Sequence, residues 1–448
     1  MTDPAGPHPS RQRFSAKTAK RRAHIDMQEE TTPRLSVVIP TYNRESLLDR
    51  TLGSLARQDV PVSDFEVVVA DDGSSDGTAE LVRSYADRLR VRYHFQEDLG
   101  FRVAAARNGG ARLATAPVLA FLDTGMVVGP QWVRAHLDAH VSGRRQAVLG
   151  YSYGYNPANP SREMEGIVDT LPPEEVVRRL IDVPSFQDMR LPDYERVGFD
   201  LGRMAMPWVF LWTLNFSVPA AEFWAAGGFD EDFTGWGVED IEFGYRLHRN
   251  SVAMVVSRTA WGIELPHERA HDEAAVSIMR NCQRFLDKHP GVQTELYWAV
   301  SSRGLIDPLE VEWEDLLGWT EAAAGRDVAG ELAESTRHLA ERTGDPARVA
   351  VFGCGPRLPA AWASANARFT LCDFDDRALG QAVAGAPATV VESLHLCGTR
   401  TPWPDRRFDL VVVTSRLAGG LWKRWGDHIT AEAKRLGGEV RVPGADRM

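Results

Sequence analysis

The sequence predicts an α/β protein made of two successive units, each a largely parallel sheet with helices on its faces. Three observations predict it. Short apolar, β-branched runs alternate with segments of helical spacing between residues 35 and 123. These runs end in polar or turn-forming residues, as in "PTYNR", "DDGSS" and "DTG". After Pro346 the same alternation starts afresh.

In chain order, "LSVVIP" from Leu35 reads as a buried strand ended by Pro40. "ESLLDRTLGSLARQ" sets Leu47, Leu48, Leu52 and Leu55 on one helical face. "FEVVVADDGS" is a second buried strand that breaks at Asp71-Asp72-Gly73, and "TAELVRSYADRL" returns to helical spacing through Leu81, Val82, Tyr85 and Leu89. "VRYHFQ" is a third strand, followed by a glycine loop, the helical "AAARNGGARLATA" and a fourth strand, "VLAFLD". Residues 151–207 are irregular and rich in Pro and Tyr around one helical stretch, "PPEEVVRRLI"; they read as a lid or acceptor-binding insertion, or as packed scaffold. Regular signals resume at "LWTLNFSVP" and run to the helical "EAAVSIMRNCQRFLDKH", and residues 307–340 form an acidic helical connector. The second unit reads "RVAVFGCGP", helix, "ARFTLCDFDD", helix, "FDLVVVTS", helix, "GEVRVP". The expected organisation is therefore a basic polar tail over 1–33, a first α/β domain over 34–300, a connector over 301–345 and a second α/β domain over 346–448.

Composition narrows the function. The 448 residues are 44% hydrophobic and 25% charged, ordinary for packed domains, and 51 Lys+Arg against 62 Asp+Glu leave a formal charge of −11. That balance argues against a nucleic-acid binder. The tail, with Arg11, Arg13, Lys17, Lys20, Arg21 and Arg22, reads as a solvated, disordered extension. Cys282, Cys354, Cys372 and Cys397 form no C-x-x-C pair or zinc-type spacing, and neither a secretory segment nor an apolar run of membrane-spanning length is evident. A reduced, cytoplasmic protein is the expectation.

In open sheets of this kind ligands bind beyond the carboxyl ends of the strands. Residues 40–44, Asp71 to Ser74 and Asp123 fall there. Tyr42 offers a flat face to a nucleobase, Asp72 can accept hydrogen bonds from a base or ribose, and Asp71 can instead brace its own turn. Together "VVIPTYNR", "VVVADDGSSDGT" and "GFRVAAARNGGARLATAPVLAFLD" resemble the nucleotide half of the family 2 glycosyltransferases, enzymes of GT-A fold that use a nucleotide-activated sugar. By that resemblance Pro40, Thr41, Tyr42, Arg44 and Asp72 hold the donor nucleotide, Arg107 lies on the donor side, and Asp123 reaches the ribose or the metal-bound diphosphate. The family commonly carries D-x-D where this chain reads Asp123-Thr124-Gly125. Glycine has no side chain with which to bind a metal, so Mn²⁺ or Mg²⁺ would need Asp123 and a more distant residue. "WGIELPHERAHD" resembles the segment of galactosyltransferase-type enzymes in which a histidine completes the metal site, which points to His267 as that second ligand, with His271 as a competitor.

"GGFDEDFTGWGVEDIEFGYRL" resembles the acceptor motif shared by chondroitin-polymerase-type enzymes and β-1,4-galactosyltransferases. The resemblance implies that Trp236 and Gly237 shape the acceptor pocket, Asp240 is the general base and Glu239 orients hydroxyls. The plain alternative is that Glu239 and Asp240 cap a helix starting at Ile241; both readings can hold. "VAVFGCGPR", "FTLCDFDD" and "PWPDRRFDLVVVTSRL" resemble the cofactor half of class I methyltransferases, with Asp373 placed to hold a ribose, but Arg357 stands where a further glycine is usual. S-adenosylmethionine is not expected; packing, dimerisation into a homo-oligomer and acceptor docking remain open uses of this unit. The sequence thus points to an inverting glycosyltransferase with a UDP-sugar donor of hexosamine or galactose type and a glycan, natural-product or peptide acceptor. Its rivals are a bifunctional enzyme that also methylates and a silent sugar- or nucleotide-binding scaffold.

Overall fold

The computed structural model describes residues 32–141, 143–156, 164, 166–267, 271–304 and 309–442, with only the backbone of residues 271–274. The basic tail lies outside the described residues.

The first sheet has eight strands: β1 Leu35–Thr41, β2 Phe65–Asp71, β3 Val91–Phe95, β4 Val118–Leu122, β5 Met126–Val128, β6 Gln146–Tyr153, β7 Asn215–Pro219 and β8 Ala253–Glu264. Their order is β3-β2-β1-β4-β7-β6-β8-β5. The first four strands are mutually parallel, as the sequence predicts, and β7 then inserts antiparallel to both β4 and β6. Pleating explains the uninterrupted apolar runs: Val37, Ile39, Val67 and Val69 pack on one face with Leu48, Leu52 and Leu55, while Val38, Val68 and Ala70 pack on the other.

The described residues between 151 and 207 form packed structure. β6 runs through Tyr153, and helices Pro173–Leu180 and Leu191–Arg196 follow. Arg190 and Asp188 are both buried and joined at 2.7 Å. Arg190 also donates to the carbonyls of Phe210 (3.0 Å) and Gly150 (3.1 Å), and Asp188 accepts from the Ser152 amide at 2.9 Å. This ion pair ties the segment to the sheet, which favours scaffold over lid.

The second sheet is wholly parallel: β9 Ala347–Phe352, β10 Ala367–Asp373, β11 Val390–His395, β12 Phe408–Val413 and β13 Gly437–Arg441, ordered β11-β10-β9-β12-β13. One expected element is absent. After β9 the chain makes only the 3₁₀ turn Ala360–Ser364 where the sequence predicts a helix, because Pro356, Pro359 and the small residues between Ala360 and Ala365 give it no sustained amphipathic stripe. The connector contains helices Leu309–Ala323 and Ala329–Thr336 and sutures both units. Its Glu310 accepts the amides of Ala205 (3.1 Å) and Met206 (2.5 Å), while Glu312 accepts Arg424 Nε (2.9 Å) and Trp425 Nε1 (3.3 Å). Among the described residues no helix is long and apolar enough to cross a membrane.

Replacing Arg190 by Met leaves the Asp188 carboxylate buried without its counter-charge, so urea unfolding should reveal a loss of about 3–5 kcal/mol. The double change Asp188→Leu, Arg190→Met should lose less, since no lone charge remains buried.

Candidate active site

Two strand-tip clusters and one helix N-terminus meet beyond the carboxyl ends of β1, β2 and β4. Parallel pairing sets the tips level: Thr41 lies opposite Asp71, and the Thr124 hydroxyl donates to the Pro40 carbonyl at 2.7 Å. Asp71 is the brace. Its carboxylate accepts the amides of Gly73 (3.1 Å) and Ser74 (2.7 Å) and the Tyr93 hydroxyl (2.5 Å). Asp72 accepts Gln96 Nε2 at 2.5 Å and the Arg102 amide at 2.7 Å, which draws residues 96–102 across the turn. Burial holds the Asp72 carboxyl above its ordinary range, against those two donors. A carboxylate has about four acceptor positions, so two donors do not exhaust it. Tyr42, 44% exposed, keeps its ring face open beside this turn while its hydroxyl donates to Asp98 at 2.9 Å. Arg44 immediately precedes helix Glu45–Leu55.

The decisive side chain is Arg107, in the middle of helix Val103–Leu113. It is buried, yet donates through Nη2 to Asp123 at 2.8 Å and through Nη1 to Glu239 at 2.9 Å. It can reach both because its helix lies hard against the sheet: a Cβ on Gly110 would come within 2.7 Å of Val38 Cγ1. Asn108, its neighbour, bonds both ways with the Phe229 backbone, accepting its N–H at 2.9 Å and donating to its carbonyl at 2.8 Å. That docks the "GGFDED" strap onto the donor half. An aromatic cluster completes the join, with Phe121 of β4 stacked on Phe216 at 5.0 Å and edge-on to Phe229 at 5.2 Å, and Phe229 packed 4.7 Å from Phe243. Asn108 is not among the candidates the sequence offers; its sign there is the Arg-Asn pair of "AAARNGGARLATA".

Helix Glu239–Arg249 starts two residues earlier than Ile241. Glu239 directs its Oε1 to Arg107, away from the helix amides, and its Oε2 is buried without a hydrogen-bond partner. Asp240 does make a local bond, accepting the Ile241 amide at 2.8 Å. Its carboxyl is pushed up to about 7 by burial and by the Glu239 charge, while Arg107 and the Ile241 and Thr213 amides oppose the shift. The turn ahead of the helix is strained: Gly235, Gly237 and Val238 have φ of 76°, 90° and 79°. A β-branched residue in that region costs of order 1–3 kcal/mol and persists where packing over-determines it. Val238 is buried in the core, and the turn leaves Trp236 37% exposed.

The pairing of Met126 with Glu264 and the bond from the Leu265 amide to the Gly125 carbonyl (3.0 Å) bring the chain leading to His267 beside Asp123-Thr124-Gly125. His267 Nδ1 lies 3.0 Å from the Leu265 carbonyl. A carbonyl can only accept, so Nδ1 carries the proton and Nε2 the lone pair, the tautomer of a metal ligand. The His271 side chain lies outside the described residues. Among those described, no group of three or more His, Cys, Asp or Glu side chains is arranged as a complete metal cage.

In the second unit the Asp373 carboxylate is engaged by Arg416 Nε at 2.9 Å and by the Gly355 amide at 2.8 Å. Arg416 is fully buried and also donates to Asp375 (2.7 Å) and to the connector carbonyl of Ala323 (2.7 Å).

Residues 36–197 match the model of glycosyl transferase family 2, and residues 197–268 match that described as the N-terminal domain of galactosyltransferase. The validoxylamine A glucosyltransferase of Streptomyces hygroscopicus subsp. jinggangensis is 54% identical over 412 residues, covering 92% of this chain and 97% of that protein. The chain belongs to glycosyltransferase family 2. This family 2 enzyme has the GT-A fold, followed by a smaller Rossmann-like sheet, and transfers a sugar from a nucleotide-sugar donor. The alignment with the Streptomyces enzyme is long enough to extend into that second sheet. The chondroitin synthase of Escherichia coli is 32% identical over 222 residues, 48% of this chain and 32% of that protein. The Staphylococcus aureus TarS 1-349 structure with UDP-GlcNAc overlays with a TM-score of 0.45 at 18% identity, over 65% of this chain and 80% of that one.

Replacing Arg107 by Met leaves the buried Glu239 carboxylate without its counter-charge. Unfolding free energy should fall by about 3–5 kcal/mol. Urea titration of the parent and the variant checks this; an unchanged unfolding free energy would contradict it.

Proposed function

We propose that this enzyme transfers glucose from UDP-glucose to a hydroxyl of a small polyhydroxylated natural product, inverting the anomeric centre, with Asp240 as general base. The observation that carries the reading is the single guanidinium of Arg107 held by both Asp123 and Glu239, the residue before Asp240, which supports a shared site for donor and acceptor. The 54% identical glucosyltransferase supports glucose over the hexosamine or galactose suggested by the acceptor motif, and supports validoxylamine A as the first acceptor to try.

Asp240 removes the proton from the acceptor hydroxyl as that oxygen bonds to the anomeric carbon; the bond to the diphosphate breaks and its electron pair leaves with the diphosphate oxygen. One base on one face is sufficient for inversion. The partnerless buried Oε2 of Glu239 can accept a sugar hydroxyl, fixing the ring relative to Asp240. Tyr42 and Asp72 hold the base and ribose, with Pro40, Thr41 and Arg44 on the same rim, and the exposed Trp236 with Gly237 receives the acceptor. Asp123 and His267 fit a divalent cation by their donor chemistry, a carboxylate and an imidazole of the right tautomer. When bound, Mn²⁺ or Mg²⁺ neutralises charge developing on the leaving diphosphate.

The base must be ionised to act. With a carboxyl near 7, kcat/KM should fall as pH drops below about 7, and Asp240→Asn should lose about 10²–10⁴-fold in turnover while UDP-glucose still raises its thermal midpoint. Full activity of Asp240→Asn would refute the assignment. His267→Ala should raise the Mn²⁺ concentration needed for half-maximal activity at least about tenfold; an unchanged Mn²⁺ titration would remove His267 from the site.

A further inference from the structure

The second sheet has the shape of a nucleotide-binding unit, but its cleft is filled by the protein. Ligands of such sheets sit at the switch point of strand order, here between the carboxyl ends of β9 and β12. Gly353 and Gly355 follow β9, and Thr414 to Arg416 follow β12. A Cβ on Gly353 would lie 3.2 Å from Arg416 Cβ, and one on Gly355 would lie 3.2 Å from Val328 of the connector. Arg416, Asp373 and Asp375 satisfy one another there. This packing leaves the unit's role to be sought where it touches the catalytic half.

Part of that contact is made by residues 397–401, which follow β11. Glu295, on helix Val292–Ser302, is fully buried and accepts the amides of Cys397 (2.5 Å), Thr399 (2.5 Å) and Arg400 (3.2 Å) and the Thr399 hydroxyl (2.9 Å). Gln283, on helix His271–Lys288, accepts Arg400 Nε at 2.5 Å and donates to the Thr401 carbonyl at 3.3 Å. Glu432 holds the same loop from behind through the amide and hydroxyl of Thr401 (2.8 and 2.5 Å).

Helix His271–Lys288 also grips the turn that precedes Glu239 and Asp240. Ser277 Oγ accepts the Trp236 amide (3.0 Å) and donates to the Trp236 carbonyl (2.9 Å). Arg280 donates to the Thr234 carbonyl (2.6 Å), and Asn281 to the carbonyls of Thr234 (3.2 Å) and Gly237 (2.8 Å). The fit has no slack, since a Cβ on Gly235 would stand 2.9 Å from both Ser277 Cβ and Arg280 Nη2. The turn also contains the strained Val238 and depends on external contacts to keep its shape.

We infer that the C-terminal sheet is a brace for the acceptor turn, acting through the Arg400–Gln283 contact and helix His271–Lys288, with Gln283 and Arg400 as positioning residues for the transfer reaction. The turn's role in acceptor binding rests on the function proposed above; the mechanical coupling does not. Hydrogen–deuterium exchange of the full-length chain tests it without any substrate. In Gln283→Ala and Arg400→Ala the amides of residues 234–238 should exchange about fivefold faster, the scale of one lost net hydrogen bond, while those of residues 72–74 stay unchanged. Gln283→Glu, which keeps the acceptor for Arg400 and loses only the bond to the Thr401 carbonyl, should lie closer to the parent than Gln283→Ala. With UDP-glucose and validoxylamine A as probes, the two alanine variants should raise the acceptor KM about fivefold, leaving donor KM and kcat within about twofold. Unaltered exchange at residues 234–238, or acceleration of all amides together, would overturn the inference; should Arg400→Ala fail to fold, Gln283→Ala decides. A parent that does not glucosylate validoxylamine A would count against the acceptor proposed above and leave the exchange result standing.

Discussion

The site depends on one buried cation shared among three acids. Arg107 holds Asp123 on the strand tip and Glu239 on the acceptor helix, and Asp240 stands next in the chain. A guanidinium whose two terminal nitrogens are committed in this way can neutralise the third carboxylate only in part. Desolvation and the adjacent Glu239 charge then keep a proton on Asp240 to about pH 7, where an ordinary carboxylic acid has long lost it. For the proposed reaction, this arrangement would give Asp240 the strength of a useful base beside the Asp123 strand tip.

Much of the surrounding architecture serves to let Arg107 reach. Gly110 brings its helix onto the sheet, Asn108 fastens the strap at Phe229, and the Phe121, Phe216, Phe229 and Phe243 cluster seats the acceptor helix against β4 and β7. The helix itself follows the turn 235–238, in which Gly235, Gly237 and Val238 have positive φ and Trp236 does not. Strain in that turn is balanced by the core around Val238 and by the bonds from helix His271–Lys288. The functional turn is thus supported on one side by the catalytic sheet and on the other by a helix shared with the C-terminal unit.

The parallel half of the first sheet was legible because strands buried on both faces write unbroken apolar runs, as "LSVVIP" and "FEVVVAD" do. The short β5 and the long, half-exposed β8 were harder: three residues carry no periodicity, and β8 mixes buried with exposed positions over its length. The antiparallel insertion of β7 depends on partners far along the chain, as in the pairing of Leu122 with Asn215 and of Leu149 with Phe216, and leaves no local mark. Arg107 was legible as a donor-side candidate, but its bond to Glu239 was not, because a salt bridge across 132 residues is a property of topology. The missing helix after β9 and the engagement of Asp373 by Arg416 show the limit of a motif resemblance: the glycines remain while the space they would make for a ligand is filled.

The central claim is that the Glu239 charge is a principal reason why Asp240 holds its proton to neutral pH. A ¹³C NMR titration of the Asp240 carboxyl in the parent and in Glu239→Gln tests it most directly. The midpoint should lie near 7 in the parent and move clearly lower in the variant, since the repelling charge is gone while Arg107 remains. A midpoint that stays in place or rises would contradict the account.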